Sequence, residues 1–155
     1  MALEIEFKYL VDRERWEKVT PDKGVRIVQG YIASESGKTV RVRIKGKRGF
    51  LTVKGPSNGP VREEFEYEVP FKDAEAMLAS LCPSTVEKTR YETEHEGRTW
   101  EIDVFEAKNV GLIVAEIELQ DADEKYPLPE WVTTNVTDDK RYSNKQLSIR
   151  PFSSW

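Results

Sequence analysis

The feature that most restricts the fold is a two-residue alternation of charged and apolar side chains, repeated in many segments of the chain. Side chains two positions apart lie on the same face of a β-strand, so each such segment predicts a strand with one charged and one apolar face. Clusters of Gly, Pro, Asn and Asp separate the segments, as is typical of hairpin turns. The pattern predicts about eight antiparallel strands, near residues 3–9, 25–33, 39–46, 49–55, 61–69, 86–94, 98–105 and 112–120.

Helical patterns are few. Residues 72–81 place Ala74, Met77, Leu78 and Leu81 on one side of a helix, and Pro83 follows shortly after them. Shorter helical turns are expected near residues 11–18, 121–126 and 141–148. The chain is therefore expected to be an α+β protein dominated by antiparallel sheet. With 155 residues, it is long enough for one core and too short for two, so residues 1–155 are expected to form one domain.

Composition excludes several classes of protein. The net charge is only −4, so no overall field would attract nucleic acid or an anionic membrane, and neither is expected as a partner. A single cysteine, Cys82, rules out an internal disulfide and a thiolate metal cluster. No secretory signal or apolar run of membrane length is present in the sequence, so a cytoplasmic location is expected.

The charged faces are segregated by sign. Acidic residues occupy the predicted strands at 64–68, 101–103 and 116–118, whereas basic residues occupy those at 41–45 and 88–90. One interpretation is an ordinary solvated face of an antiparallel sheet. The segregation favours another, because like charges that share a strand face repel one another. A polyanion bound together with divalent cations would balance both groups, since phosphate suits Arg and Lys while hard cations suit carboxylates.

Alternation alone does not say whether the charged face lines the inside of a closed sheet or coats its outside. Inward charges would leave apolar side chains on the outer surface, which the few predicted helices could cover only in part. Partial cover or a homodimer interface would then be required.

The N-terminal segment Glu4-Ile5-Glu6-Phe7-Lys8 resembles the signature of the CYTH superfamily, also called the triphosphate tunnel metalloenzymes. Further matches follow in the order typical of that family, at residues 29–31, 40–43, 51–54, 62–67, 87–91, 101–105, 115–119 and 136–144. The resemblance implies a closed eight-stranded β-barrel, the tunnel, with a charged interior and a few flanking helices. It also implies that a C-terminal helix beginning near Arg141 plugs one tunnel mouth.

The resemblance further implies roles for individual residues. The phosphates would be held by Lys8, Arg41, Arg43, Lys54, Lys88 and Arg90. The metal ligands would be Glu4, Glu6, Glu64, Glu66, Asp103, Glu116 and Glu118, and the catalytic set would be Glu4, Glu6, Lys8, Glu64, Asp103, Glu116 and Glu118. The expected cofactor is Mg²⁺ or Mn²⁺, with one ion held by Glu4, Glu6 and a carboxylate of the Glu116/Glu118 pair and a second nearer Glu64 and Asp103.

The expected activity is metal-dependent hydrolysis of inorganic triphosphate to pyrophosphate and phosphate. Few aromatic side chains fall on the charged face, so nothing is placed to stack a base or a thiazole ring. The alternatives are hydrolysis of thiamine triphosphate or a nucleoside triphosphate, a class IV-type adenylate cyclase, and a non-catalytic polyphosphate-binding module. The only histidine, His95, falls in a predicted hairpin turn and is not expected to take part in catalysis.

Overall fold

The computed structural model describes residues 2–155 and contains nine strands and three α-helices within that range. The strands are β1 (Leu3–Val11), β2 (Val25–Glu35), β3 (Lys38–Lys45), β4 (Arg48–Lys54), β5 (Val61–Val69), β6 (Thr85–His95), β7 (Arg98–Phe105), β8 (Ile113–Glu118) and β9 (Val132–Asn135). The helices are α1 (Arg13–Glu17), α2 (Phe71–Leu81) and α3 (Asn144–Ile149), and 3₁₀ turns occur at Ala107–Asn109, Lys140–Tyr142 and Phe152–Ser154.

Eight of the strands form a closed ring. The order is β5-β4-β3-β2-β6-β7-β8-β1, and β1 pairs back onto β5 through Leu3 opposite Glu63 and Ile5 opposite Val61. Every pairing in the ring is antiparallel. All eight predicted strands are confirmed, whereas the short β9, which lies beside β1, was not predicted. The predicted helix at 72–81 is α2, while residues 121–126 contain a hydrogen-bonded turn instead of a helix.

Contacts between strands that are not neighbours show which face lines the ring. The Lys54 ammonium on β4 lies 3.1 Å from the Glu4 carboxylate on β1, although β5 separates these strands. Likewise, Arg90 on β6 lies 3.8 Å from Glu116 on β8. Glu4, Arg90 and Glu116 are only 8%, 8% and 6% exposed, so these charged side chains are enclosed by the ring. The charged faces therefore point inward, as the family resemblance implied, and the ring encloses a charged tunnel.

The outer apolar faces are covered unevenly. Trp16 of α1 is only 1% exposed and packs edge-on against Trp131, in a cluster that covers the outside of β1, β7 and β8. Helix α2 packs on β2, β3 and β4. In contrast, Phe65 and Tyr67 on the outer face of β5 remain 40% and 62% exposed. The ring therefore buries charge inside and leaves one apolar strip outside.

One end of the tunnel is closed by apolar side chains. Val86 lies directly opposite Gln29 on the neighbouring strand, Phe105 lies opposite Lys88, and Val114 lies opposite Asp103. Directly opposed residues lie on the same face of a sheet, so these three apolar side chains also point into the ring. They pack against Leu147 of α3, which is 1% exposed. The C-terminal segment thus fills this mouth, in agreement with the implied plug. Within residues 2–155, none of the helices combines the length and the apolar character needed to span a membrane.

Candidate active site

Three carboxylates from three strands converge in the tunnel. Glu6 on β1, Glu101 on β7 and Glu116 on β8 each offer an oxygen within 4.8 Å of the others. The pairing of the strands produces this cluster, because Glu101 lies directly opposite Glu116 and Glu6 lies directly opposite Glu118. Like charges in directly opposed positions repel each other. The fold therefore concentrates negative charge where a cation would be stabilised.

The pKa values of these groups reflect that crowding. Burial raises the pKa of Glu6 well above its usual range, and the negative charges of Glu116 and Glu4 raise it further. Burial would also raise the pKa of Glu116, but Lys8 and other nearby cations outweigh this effect and lower it to about 2. Burial raises the pKa of Glu101 as well. Glu116 is thus held ionised, whereas ionisation of Glu6 and Glu101 is disfavoured until a cation binds.

The donor set of this cluster fits a hard divalent ion. It offers only carboxylate oxygens, which are the ligands preferred by Mg²⁺, Mn²⁺ and Ca²⁺, and no thiolate or imidazole. Glu101 was not among the predicted metal ligands, although its alternation with Asp103 already placed it on the charged face.

A second group of acids surrounds Lys54. The Lys54 ammonium lies 3.1 Å from Glu4 and 3.2 Å from Glu64. Burial would raise the pKa of Glu4, but the charge of Lys54 helps to lower it. Glu66 lies nearer the rim and accepts hydrogen bonds from Arg41 and Thr52. These predicted metal ligands are therefore engaged with basic or hydroxyl groups.

The other predicted ligand, Asp103, is fully buried between two cations. Arg90 donates to both carboxylate oxygens of Asp103 at 2.8 and 2.9 Å, and Lys88 donates at 2.7 Å. Burial would raise the pKa of Asp103, but Arg90 and Lys88 hold it well below its usual range. Both oxygens already accept hydrogen bonds, an arrangement that suits a residue orienting Arg90 and Lys88. A role for Asp103 in metal binding stays a prediction.

Positive charge is in excess on the opposite side of the tunnel. The Arg43 guanidinium donates to the Gln29 amide at 2.8 Å but forms no salt bridge among residues 2–155, whereas Arg41 and Arg90 do. Burial, followed by the charges of Arg41 and Arg90, lowers the pKa of Arg43 to about 9. Burial likewise lowers the pKa of Lys88 to about 7, against the opposing influence of Asp103. This cluster would be stabilised by an anion.

A cavity of about 420 Å³ adjoins the carboxylate cluster. Its walls include Glu101, Glu116 and Glu118, and its outer side includes Arg98, which pairs with Glu124. The cavity opens at the end of the tunnel where β7 and β8 approach the loop that follows β8. The opposite end of the tunnel is filled by α3. Small ions could therefore reach the carboxylates from the open end.

The structure brings nearly all the predicted site residues into one tunnel. Lys8 lies on β1 beside the acidic cluster, with its ammonium 3.9 Å from Glu116. Glu66 and Glu118 are the most peripheral, since both are exposed. His95 lies at the hairpin between β6 and β7, beside Glu96. Three polar residues were not predicted: Gln29 and Thr52, both fully buried on inward strand faces, and Asn144, which comes from the C-terminal plug.

A charged tunnel closed by eight antiparallel strands, with most carboxylates on one side and most basic groups on the other, defines a class of tunnel proteins whose interior is suited to a polyanion bound together with a cation. The chain belongs to the CYTH domain family, whose model matches residues 2–150. It is 43% identical over 156 residues to an inorganic triphosphatase of Acetivibrio thermocellus, covering 100% of this chain and 99% of that protein.

Two further comparisons agree. An inorganic triphosphatase of Nitrosomonas europaea is 33% identical over 153 residues, covering 94% of this chain and 97% of that protein. A solved crystal structure of an inorganic triphosphatase superimposes with a TM-score of 0.65 at 30% identity, covering 94% of this chain and 97% of the other. The tunnel fold is therefore shared along almost the whole length of these proteins.

Proposed function

We propose that residues 1–155 form a single catalytic domain that hydrolyses inorganic triphosphate to pyrophosphate and phosphate with the help of a divalent metal ion. The observation that carries this proposal is the division of one tunnel into an acidic and a basic side. A cation and a phosphate chain bound together would neutralise both sides. The family membership and the triphosphatase relatives support the same activity.

The basic residues would bind and align the substrate. Arg41, Arg43 and Arg90 provide planar guanidinium groups that match phosphate oxygens, and Lys8, Lys54 and Lys88 add ammonium donors. Phosphoryl transfer passes through a loose transition state, so alignment and charge stabilisation do most of the work. Water would attack the terminal phosphorus in line. An O–P bond forms, the bridging P–O bond breaks, and pyrophosphate leaves.

Glu6, Glu101 and Glu116 are the residues that would hold the metal ion, with Glu4 and Glu118 beside them. Bound there, Mg²⁺ or Mn²⁺ would neutralise phosphate charge and lower the pKa of a coordinated water. Glu64 and Asp103 would act mainly by orienting Lys54, Lys88 and Arg90, since they already contact these cations. Glu66 would orient Arg41 in the same way.

A polyphosphate-binding module is the main non-catalytic alternative. The carboxylate cluster argues against it, because three acids inside the tunnel would not help to capture an anion unless a cation were bound with it. Organic triphosphates are disfavoured because, among residues 2–155, the cavity beside the carboxylate cluster has no aromatic side chain in its lining to stack a base or a thiazole ring. These alternatives differ in the substrate that would be cleaved and in the need for metal.

Phosphate release separates the alternatives. The purified protein would be incubated with tripolyphosphate, ATP and thiamine triphosphate, each with Mg²⁺, with Mn²⁺ and with EDTA. We expect rapid release from tripolyphosphate with either metal, slow release from the organic substrates and none with EDTA. Binding of tripolyphosphate without release under any condition would favour the binding module.

We further propose that the protein acts in the cytoplasm and as a homodimer. The exposed outer strip formed by Val53, Phe65 and Tyr67 is the surface that a second copy would cover. Inward charges turn apolar side chains outward; α2 covers parts of β2, β3 and β4, and the cluster around Trp16 and Trp131 covers β1, β7 and β8, but neither reaches this strip. Light scattering of the wild type and of Phe65→Glu tests this surface: a dimer that becomes a monomer supports it, and a monomeric wild type contradicts it.

A further inference from the structure

The C-terminal plug does more than fill the tunnel mouth, because it contacts two of the lysines assigned to the substrate. The Lys88 ammonium donates to the Asn144 side-chain oxygen at 2.9 Å, and the Lys8 ammonium donates to the Tyr142 carbonyl at 3.3 Å. Both partners come from the segment that begins with the 3₁₀ turn at Lys140–Tyr142 and continues into α3. The plug is thus connected directly to the phosphate-binding side of the tunnel.

Lys88 is held from two sides. Its ammonium donates to Asp103 on β7 at 2.7 Å as well as to Asn144, and its side chain is fully buried. An ammonium has three protons, so these bonds leave one donor for a ligand. A lysine side chain loses rotamer entropy when it is fixed. Two acceptors on separate elements fix the ammonium before the substrate arrives, which favours binding.

Asn144 is itself rigidly placed. The Ser143 hydroxyl caps α3 by accepting from the Gln146 amide, so Asn144 sits at the first position of a capped helix. One turn later, Leu147 is buried among the inward apolar residues. Beyond the helix, the side-chain oxygen of Asn109 accepts from the Phe152 amide at 2.8 Å. The position of the Asn144 amide is therefore set by packing along the whole plug.

Asn144 is uncharged, and this affects what its contact does to Lys88. A lysine ammonium can only donate, so the amide oxygen faces it. An aspartate in the same place would pair with Lys88 as a second carboxylate and compete with the phosphate. An amide orients the ammonium without neutralising it. This distinguishes an orienting contact from a second structural ion pair.

We propose that Asn144 is a positioning residue that holds the Lys88 ammonium for the triphosphate. The proposal rests on the proposed function, in which Lys88 contacts phosphate. It deepens that function by assigning the plug a role in substrate binding in addition to closing the tunnel. Loss of Asn144 should therefore act through Lys88 and through nothing else.

A double-mutant cycle tests this assignment. KM and kcat for tripolyphosphate would be measured for the wild type, Asn144→Ala, Lys88→Ala and the double variant. We expect Asn144→Ala to raise KM about tenfold, as for loss of a hydrogen bond to a charged group, with a smaller loss in kcat. In the Lys88→Ala background, the same substitution should change KM little. Unchanged KM in the single variant, or effects that add in the double variant, would overturn the proposal.

Two further variants separate positioning from general stability. Asn144→Asp should keep the contact yet weaken tripolyphosphate binding, because the new carboxylate competes with phosphate for Lys88. Asn58→Ala, at an exposed asparagine between β4 and β5, is the matched control and should leave KM and kcat unchanged. An Asn144→Asp protein that binds tripolyphosphate as tightly as the wild type would contradict the charge argument.

The same cycle can be run on binding alone. Calorimetric Kd values for tripolyphosphate in EDTA report the Asn144–Lys88 coupling even if no variant releases phosphate. Coupling in Kd, together with no phosphate release by the wild type even with Mg²⁺ or Mn²⁺, would overturn the proposed function and support the role of Asn144. Hydrolysis by the wild type without coupling would overturn the role of Asn144 alone.

Discussion

Glu101 and Glu116 occupy directly opposed positions on β7 and β8, and an oxygen of each lies within 4.8 Å of one from Glu6. The strands could pair in this register only at a cost in repulsion. Nearby cations outweigh burial and repulsion at Glu116, whereas at Glu6 burial and the neighbouring carboxylates outweigh Lys54 and Lys8. The tunnel therefore folds with unfavourable charge placement that a cation would relieve. Several consequences for stability and activity can be measured.

Replacing Glu6 with Gln should abolish metal-dependent phosphate release while leaving the protein folded. The amide keeps the shape of the side chain but cannot provide an anionic ligand. Because burial and neighbouring carboxylates already disfavour ionisation of Glu6, the metal-free variant should melt at the same temperature as the wild type or higher. Phosphate release and thermal melting in EDTA check both parts.

Glu75→Gln, on the exposed side of α2, is the matched control for this substitution. It removes the same charge far from the tunnel and should retain full activity. Full activity in Glu6→Gln, or a large loss in Glu75→Gln, would contradict the assignment of the metal site.

The stabilisation of the protein by Mg²⁺ should increase with pH. The folded-state pKa of Glu6 is raised above its ordinary value, so the proton on Glu6 stabilises the folded state below that ordinary value. This contribution is lost as the pH rises through the raised pKa, and Mg²⁺ can then replace the proton. A saturating ion at about 100 times its Kd adds about 2.7 kcal/mol, or about 5–10 °C in Tm.

Melting curves with Mg²⁺ and with EDTA, from about pH 5 to about pH 8, measure this effect. Subtracting the EDTA curve at each pH cancels titrations that Mg²⁺ does not influence. The low pKa of Glu116, about 2, places its own titration below this range. A Tm difference that is constant across the range, or one that persists unchanged in Glu6→Gln, would be inconsistent with this prediction.

Arg43→Gln should weaken tripolyphosphate binding without destabilising the free protein. Arg43 is buried among cations and lacks a carboxylate partner among the described residues, so its removal relieves repulsion from Arg41 and Arg90. The loss of a charge-assisted contact should raise KM about 10- to 100-fold. Steady-state kinetics and the Tm shift caused by tripolyphosphate check this result.

The matched control is Arg13→Gln, on the exposed side of α1. It removes the same charge outside the tunnel and should leave both KM and the tripolyphosphate-induced Tm shift unchanged. A fall in Tm of the free Arg43→Gln protein by many degrees would indicate that Arg43 serves mainly to stabilise the fold.

Alternation in the sequence was enough to predict the strands and the membership of the charged face. Glu4, Glu6 and Lys8 were placed on one face, and the structure agrees. Alternation shows which residues share a strand face, but it does not show whether that face points into the ring or out of it. That choice depends on closure between β1 and β5, which only the family resemblance supplied.

The sequence also could not predict contacts inside the tunnel between side chains on strands that are not neighbours. Lys54 meets Glu4 because the curvature of the ring brings the inner faces of β4 and β1 together across β5. Asn144 could not be found by strand periodicity because it belongs to the plug. Glu101, by contrast, could have been predicted as a site residue, since it is two residues from Asp103 on a strand already identified as acidic.

Gly49→Ala should destabilise the outer packing of the ring without altering the tunnel chemistry. Gly49 faces α2, and a Cβ at this position would lie 2.7 Å from the Cβ of Ala74 and 3.1 Å from the Val69 carbonyl. Ala74 is fully buried, so α2 would have to move away from β4. Such overpacking costs about 1–3 kcal/mol.

Urea unfolding should show this loss of stability. KM at a temperature well below Tm should stay within about twofold, because Gly49 faces away from the phosphate-binding groups. Gly49→Ala should cost less stability in an Ala74→Gly background, which lacks the clashing methyl group, and comparison with Ala74→Gly alone cancels the helix cost of glycine. An equal cost in both backgrounds would place the cause of the loss elsewhere than in the contact between α2 and β4.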